Sequence, residues 1–186
     1  VYAISFSELG DFFVTSGVRH VKFWYIDADS AKSKHDVTLP IKGRAGLLGE
    51  LRSHTFCDVV CGVGNNSNYT YCVTTAGALC CFNAKRKLEK FVEIGSSKAL
   101  CMVADDKFLI CGYNNGFIRI FDSGSLEFIT TLPKPHYLGV NIADGIHPSH
   151  MVAKTDSVTY GDTVAIALDS SHHRVCLEST REWTTL

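Results

Sequence analysis

Apolar residues gather in short runs along this chain, and the runs are separated by residues that turn. The clearest set lies between Ser96 and Leu132, where Lys98 to Val103, Lys107 to Cys111, Phe117 to Phe121 and Leu126 to Thr131 follow one another. Asp105-Asp106, Asn114-Asn115-Gly116 and Asp122-Ser123-Gly124-Ser125 punctuate them, residues that accept turn geometry or a positive φ. This pattern predicts four strands of an antiparallel meander. The third run carries Phe117 and Phe121 on one parity and Ile118 and Ile120 on the other. Both faces of such a sheet need cover, so similar sheets are expected on either side.

The pattern does recur. Trp24-Tyr25 and Phe82-Asn83 stand where Phe121-Asp122 stands in the central unit, each after a related turn. Phe82 and Phe121 are 39 residues apart, close to the ~40 to 45 of a propeller blade. The larger spacing from Trp24 to Phe82 implies an insertion. The chain therefore reads as all-β, a partial WD-type β-propeller with three recognisable four-stranded blades and the start of a fourth. Blades are expected at about 1–40, 56–95, 96–132 and from 163–169 onward, with long loops at 41–55 and 132–162 and a divergent tail at 170–186. In the first unit Tyr2 to Phe6, Phe12 to Thr15 and Val21 to Ile26 are the strands, with Val37 to Leu39 as the outer one before Pro40. Both insertions then fall between an outer strand and the next inner strand, which places them on one common rim.

Length sharpens this reading. At ~40 to 45 residues per blade, 186 residues supply about four units, whereas propellers close with roughly four to eight. The chain opens inside an alternating run, Val1-Tyr2-Ala3-Ile4-Ser5-Phe6, so a piece of a ring is expected, with the remaining blades of a parent chain as its neighbours. An uncovered blade should make the isolated chain poorly soluble.

Composition narrows the partners. The apolar fraction of 46% and aromatic fraction of 11% supply a real core. A net charge of −1 lacks the electrostatic footprint of a nucleic-acid or anionic-membrane binder. Lys85, Arg86, Lys87 and Lys90 read as a solvated turn. No apolar stretch approaches the ~20 residues that span a bilayer. Eight cysteines lie mostly inside strands, as small buried hydrophobes of a reducing, cytoplasmic compartment.

Three sequence blocks carry a family resemblance. Arg19-His20-Val21-Lys22-Phe23-Trp24-Tyr25, Gly43-Arg44-Ala45-Gly46-Leu47-Leu48-Gly49-Glu50-Leu51-Arg52 and Leu132-Pro133-Lys134-Pro135-His136-Tyr137-Leu138-Gly139-Val140 resemble the family of mitogen-activated protein kinase-binding protein and its microcephaly-associated WD-repeat paralogue. The likeness covers about Val1 to Asp169. It implies a large scaffold with tandem propellers that assembles c-Jun N-terminal kinase signalling components, the paralogue acting at centrosomes and spindle poles. Signalling kinases or centrosomal components are the partners it implies. Two departures stand out. Ser170 to Leu186 does not run into the expected blade, and Gly95-Ser96-Ser97 stands where a Gly-His is usual, so the polar tetrad of good WD repeats cannot form fully.

Chemistry adds little beside this. Cys57 and Cys61 with His54 contain a nucleophile and a base, but no helix N-terminus or fixed cation is there to activate a thiol. His147-Pro148-Ser149-His150 and His172-His173 lack the spacing of a tetrahedral metal site. Gly112-Tyr113-Asn114-Asn115-Gly116 opens a strand, whereas a phosphate loop opens a helix. The expectation is a scaffold with no catalytic residue, metal or cofactor. Its partner surface is the rim carrying Arg19, His20, Arg44, Arg52, Asn114, Asn115, Lys134, His136 and Tyr137. The alternative is an RNA or phosphopeptide reader, for which Arg19, Arg44 and Arg52 are the candidate cluster.

Overall fold

A computed structural model describes residues 1–26, 41–95, 97–132, 161–168, 175–179 and 183–185. Its strands fall into four antiparallel sheets whose spatial order follows the chain. The first holds β1 (Ala3–Phe6), β2 (Phe12–Gly17), β3 (His20–Ile26) and β4 (Ile41–Ala45). The second holds β5 (Phe56–Cys61), β6 (Thr70–Thr74), β7 (Ala78–Phe82) and β8 (Leu88–Glu93). The third holds β9 (Ala99–Ala104), β10 (Phe108–Tyr113), β11 (Ile118–Asp122) and β12 (Phe128–Thr131). The fourth holds β13 (Thr163–Leu168), β14 (Val175–Ser179) and β15 (Trp183–Thr185). The first strands β1, β5, β9 and β13 stand side by side in that order, which is the blade arrangement of a partial WD β-propeller.

Register makes the repetition exact enough to count. Trp24 pairs with Phe13, Phe82 with Thr70 and Phe121 with Leu109, each across the second and third strands of its sheet. One step further along, Thr15, Cys72 and Cys111 occupy matching places opposite Lys22, Cys80 and Arg119. The three aromatic residues thus sit at equivalent spots of successive blades.

Apolar side chains pool in the seams between sheets and not at one centre. Val14, Phe23, Phe56, Val59, Cys72 and Phe82 fill the first seam. Tyr71, Val73, Leu79, Met102, Leu109 and Phe121 fill the second, and Ile110 and Ile118 meet Ile166 at the third. Each inner strand is also stitched to the next. The Cys61 N–H donates to Ser5 Oγ at 2.9 Å, the Met102 N–H to Asp58 Oδ2 at 2.7 Å, and the Cys101 thiol to the Thr163 carbonyl at 3.3 Å.

The outer strand of the first sheet differs from the sequence reading. It is Ile41–Ala45, paired with β3 from Ile26↔Ile41 to Lys22↔Ala45, inside the stretch expected to be a loop; Val37 to Leu39 lies outside the described residues. Ile-Lys-Gly-Arg-Ala has no two-residue alternation because all five residues are exposed, so nothing marks it as a strand except its partner. The long connection of this unit therefore joins a third strand to a fourth. Strands alternate in direction, so it leaves the sheet at the end opposite to the segment 46–55, which alone of the expected loop joins the outer strand to the next inner strand. The tail also carries more order than its sequence suggested, since β14 and β15 pair with β13 and with each other.

Candidate partner-binding rim

At one end of the stack, the turns between second and third strands meet the segments that cross to the next blade. In the first sheet the Arg19 N–H donates to the His54 carbonyl at 2.9 Å, and Val18 forms an isolated bridge with Thr55. Thr75, in the turn of the second sheet, donates its N–H to the Thr55 carbonyl at 2.9 Å. The crossing segment between them is shaped by a short 3-10 turn, Gly49–Ser53, pinned by Leu51, which is 3% exposed. It carries Glu50 and Arg52 outward. The third sheet repeats the arrangement. Asn114 donates its N–H to the Lys98 carbonyl at 3.0 Å and accepts the Lys98 N–H at 3.1 Å on Oδ1, while Asn115 Nδ2 donates to Ser97 Oγ at 3.1 Å.

Behind Arg19 stands a polar chain inside the first sheet. Trp24 Nε1 donates to Thr15 Oγ1 at 3.0 Å, and His20 Nε2 lies 2.8 Å from the same oxygen. Three side chains of a WD-type polar network are therefore joined here, while Cys72 with Phe82 and Cys111 with Phe121 replace Thr15 with Trp24 in the next two sheets. Lys22 Nζ lies 3.8 Å from the centre of the Trp24 ring, a cation–π contact. Burial, with Lys22 as a lesser cause, holds the His20 imidazole below its ordinary value.

The rim thus carries Arg19 and His20 on its first turn and Arg52 on the crossing segment that Arg19 bonds at His54, with Asn114 bonded to Lys98 and Asn115 to Ser97 in the third sheet. Arg44 belongs elsewhere. It lies in β4 opposite Phe23, outside the turn and the crossing segment that carry Arg19 and Arg52. Lys134, His136 and Tyr137 lie outside the described residues, as do His147, His150, His172 and His173. The Asn115 amide also accepts the Phe117 N–H, so both asparagines shape the turn that presents them.

The thiols are held against reaction. Cys57 is the residue left over at a register shift of β5, and its Sγ donates to the Val73 and Ala99 carbonyls. Burial pushes its thiol up to about 11, and those of Cys81 and Cys101 up to about 12, opposite to the shift an attacking thiolate needs. Among the described residues no group of three or more His, Cys, Asp or Glu side chains could hold a metal ion. One group escaped the sequence reading. Asp58 occupies the place that Ala3 and Cys101 take in their sheets, an apolar position by pattern, yet its carboxylate bonds the N–H groups of Val59 and Met102.

Comparison with known proteins agrees with this geometry. No family model matches the chain. WD repeat-containing protein 62 of Sus scrofa is 44% identical over 172 residues, 92% of this chain. Mitogen-activated protein kinase-binding protein 1 of Homo sapiens is 42% identical over 178 residues. The chain spans 11% and 12% of the length of these two relatives. Among solved structures, a chain in the crystal structure of a mitotic checkpoint complex superposes with a TM-score of 0.62 over 95% of this chain and 44% of its own length, at 14% identity, a likeness of fold alone. By sequence kinship and by its stacked four-stranded blades, the chain belongs to the family of WD repeat-containing protein 62 and mitogen-activated protein kinase-binding protein 1, matching one stretch of it.

Proposed function

We propose that the chain is a segment of a non-catalytic scaffold that holds signalling proteins on its rim. The observation that carries this reading is the kinship at 42% to 44% identity with WD-repeat proteins, one of them named for binding a mitogen-activated protein kinase. Rigid blades that lift short turns and crossing segments to one end suit such a role, because binding residues on loops need a scaffold that fixes them. The buried, proton-holding thiols support the same reading. The finer setting proposed is c-Jun N-terminal kinase signalling, in the cytoplasm and at centrosomes or spindle poles. The uncovered side of the first sheet is proposed to pack on further blades of a longer polypeptide.

The test is capture of c-Jun N-terminal kinase pathway proteins by the chain and by a His136→Ala/Tyr137→Ala variant. Capture is expected to fall about ten-fold, the loss of one aromatic anchor, with the melting temperature unchanged. Equal capture by both forms would count against the rim.

A further inference from the structure

Three turns at the rim bring a residue into the left-handed region, and one of the three does so without glycine. Each ends on a residue in the left-handed region just before the third strand. Gly77 holds φ +82° in the second sheet and Gly116 holds φ +72° in the third. Glycine is the residue expected there, since it has no Cβ to clash. The first sheet places Arg19 there at φ +49°. A long cation at a position that disfavours any Cβ is conformational strain at the surface, and strain of this kind is retained where a side chain has work to do.

Among the described residues nothing holds that side chain. The Arg19 N–H bonds His54, which a glycine would do as well, while its guanidinium is exposed and, among the described residues, neither it nor that of Arg52 engages a carboxylate or a carbonyl. Val18 beside it is 56% exposed. Arg52 rises from the crossing segment whose His54 carbonyl takes the Arg19 N–H, and Glu50 is the one carboxylate on that segment. An exposed Val18 next to Arg19, with Arg52 on the segment that Arg19 bonds and neither guanidinium paired among the described residues, fits an extended segment with carboxylates on both sides of an aliphatic residue. Guanidinium forks take carboxylates in paired, charge-assisted bonds.

We propose that Arg19, with Val18 and Arg52, docks an acidic segment of a partner protein. This rests on the rim being the partner surface and adds which partner chemistry it takes.

The strain supplies the decisive experiment, because a docking residue and a structural one respond in opposite ways. Arg19→Gly restores the residue that the sister turns use, so the melting temperature is expected to rise by about 3 °C. The same change is expected to weaken, by about ten-fold, the binding of a fluorescein-labelled peptide with two Glu on each side of one Leu. The matching Gln peptide should bind weakly to both forms. A fall in melting temperature, an unchanged affinity, equal binding of the Gln peptide or tighter binding of a single-stranded RNA would each overturn the proposal. The His136→Ala/Tyr137→Ala variant separates the two readings. If it loses protein capture while Arg19→Gly binds the peptide as before, the rim stands and the role of Arg19 falls.

Discussion

At the residue scale, Asp58 is the side chain whose chemistry departs furthest from its place in the pattern. Burial raises its carboxyl to about 6 from the ordinary 3.8, against the pull of the two N–H bonds that favour the charge. Between those values the folded chain binds a proton that the unfolded chain has released. The group's contribution to stability is therefore greatest below about pH 4 and falls as pH climbs through about 6. The difference of about two units corresponds to roughly 3 kcal/mol at most. Relative to Asp58→Asn, which cannot titrate, the native chain should gain up to that amount on going from about pH 7.5 to about pH 4.5. Urea midpoints of both proteins read this directly, and a constant gap between them would show that Asp58 does not titrate in this range. No sequence rule reveals the group, since a single Asp in an apolar run reads as a turn or an exposed position until the neighbouring strand supplies an N–H.

At the scale of elements, legibility followed contrast. The central meander could be read because its turns are rich in Asn, Asp and Gly while its strands are apolar, and the three-turn comparison built on Trp24, Phe82 and Phe121 rests on the same contrast. Ile41–Ala45 could not be read, because an exposed outer strand buries nothing and leaves no period in the sequence. The rim suffered accordingly. Its turns were placed from sequence, whereas the crossing segment proved shorter than the loop expected, with a 3-10 turn that only the burial of Leu51 explains. The thiols were placed within strands by composition alone, and β6 and β7 consist of fully buried residues that include Cys72, Cys80 and Cys81. Strand pairing therefore protects them. Ellman's reagent should leave the described cysteines of β5, β6, β7, β9 and β10 essentially unmodified in the native chain and react at once in denaturant. Rapid reaction of the native protein would show that the sheets open.

At the scale of the whole molecule, the two sides of the first sheet are treated differently. Ile4 and Phe6 are 58% and 63% exposed, whereas their counterparts in the second sheet, Val59 and Cys61, are covered by the sheet before them. With Tyr2 and the Phe13–Trp24 stack this makes an apolar face of the kind that promotes association. Sedimentation of the isolated chain should show concentration-dependent association that Ile4→Lys/Phe6→Lys reduces, without lowering the melting temperature by more than about 2 °C, since surface changes move stability little. A native chain that sediments as a monomer at every concentration would remove the expected penalty of an uncovered blade.

Because the apolar side chains lie in seams, a lesion in one of them is felt by the two sheets that share it and fades beyond. Each blade can then drift in its own vocabulary, Thr with Trp in one and thiol with Phe in the next, while the turns it carries to the common end keep their alignment.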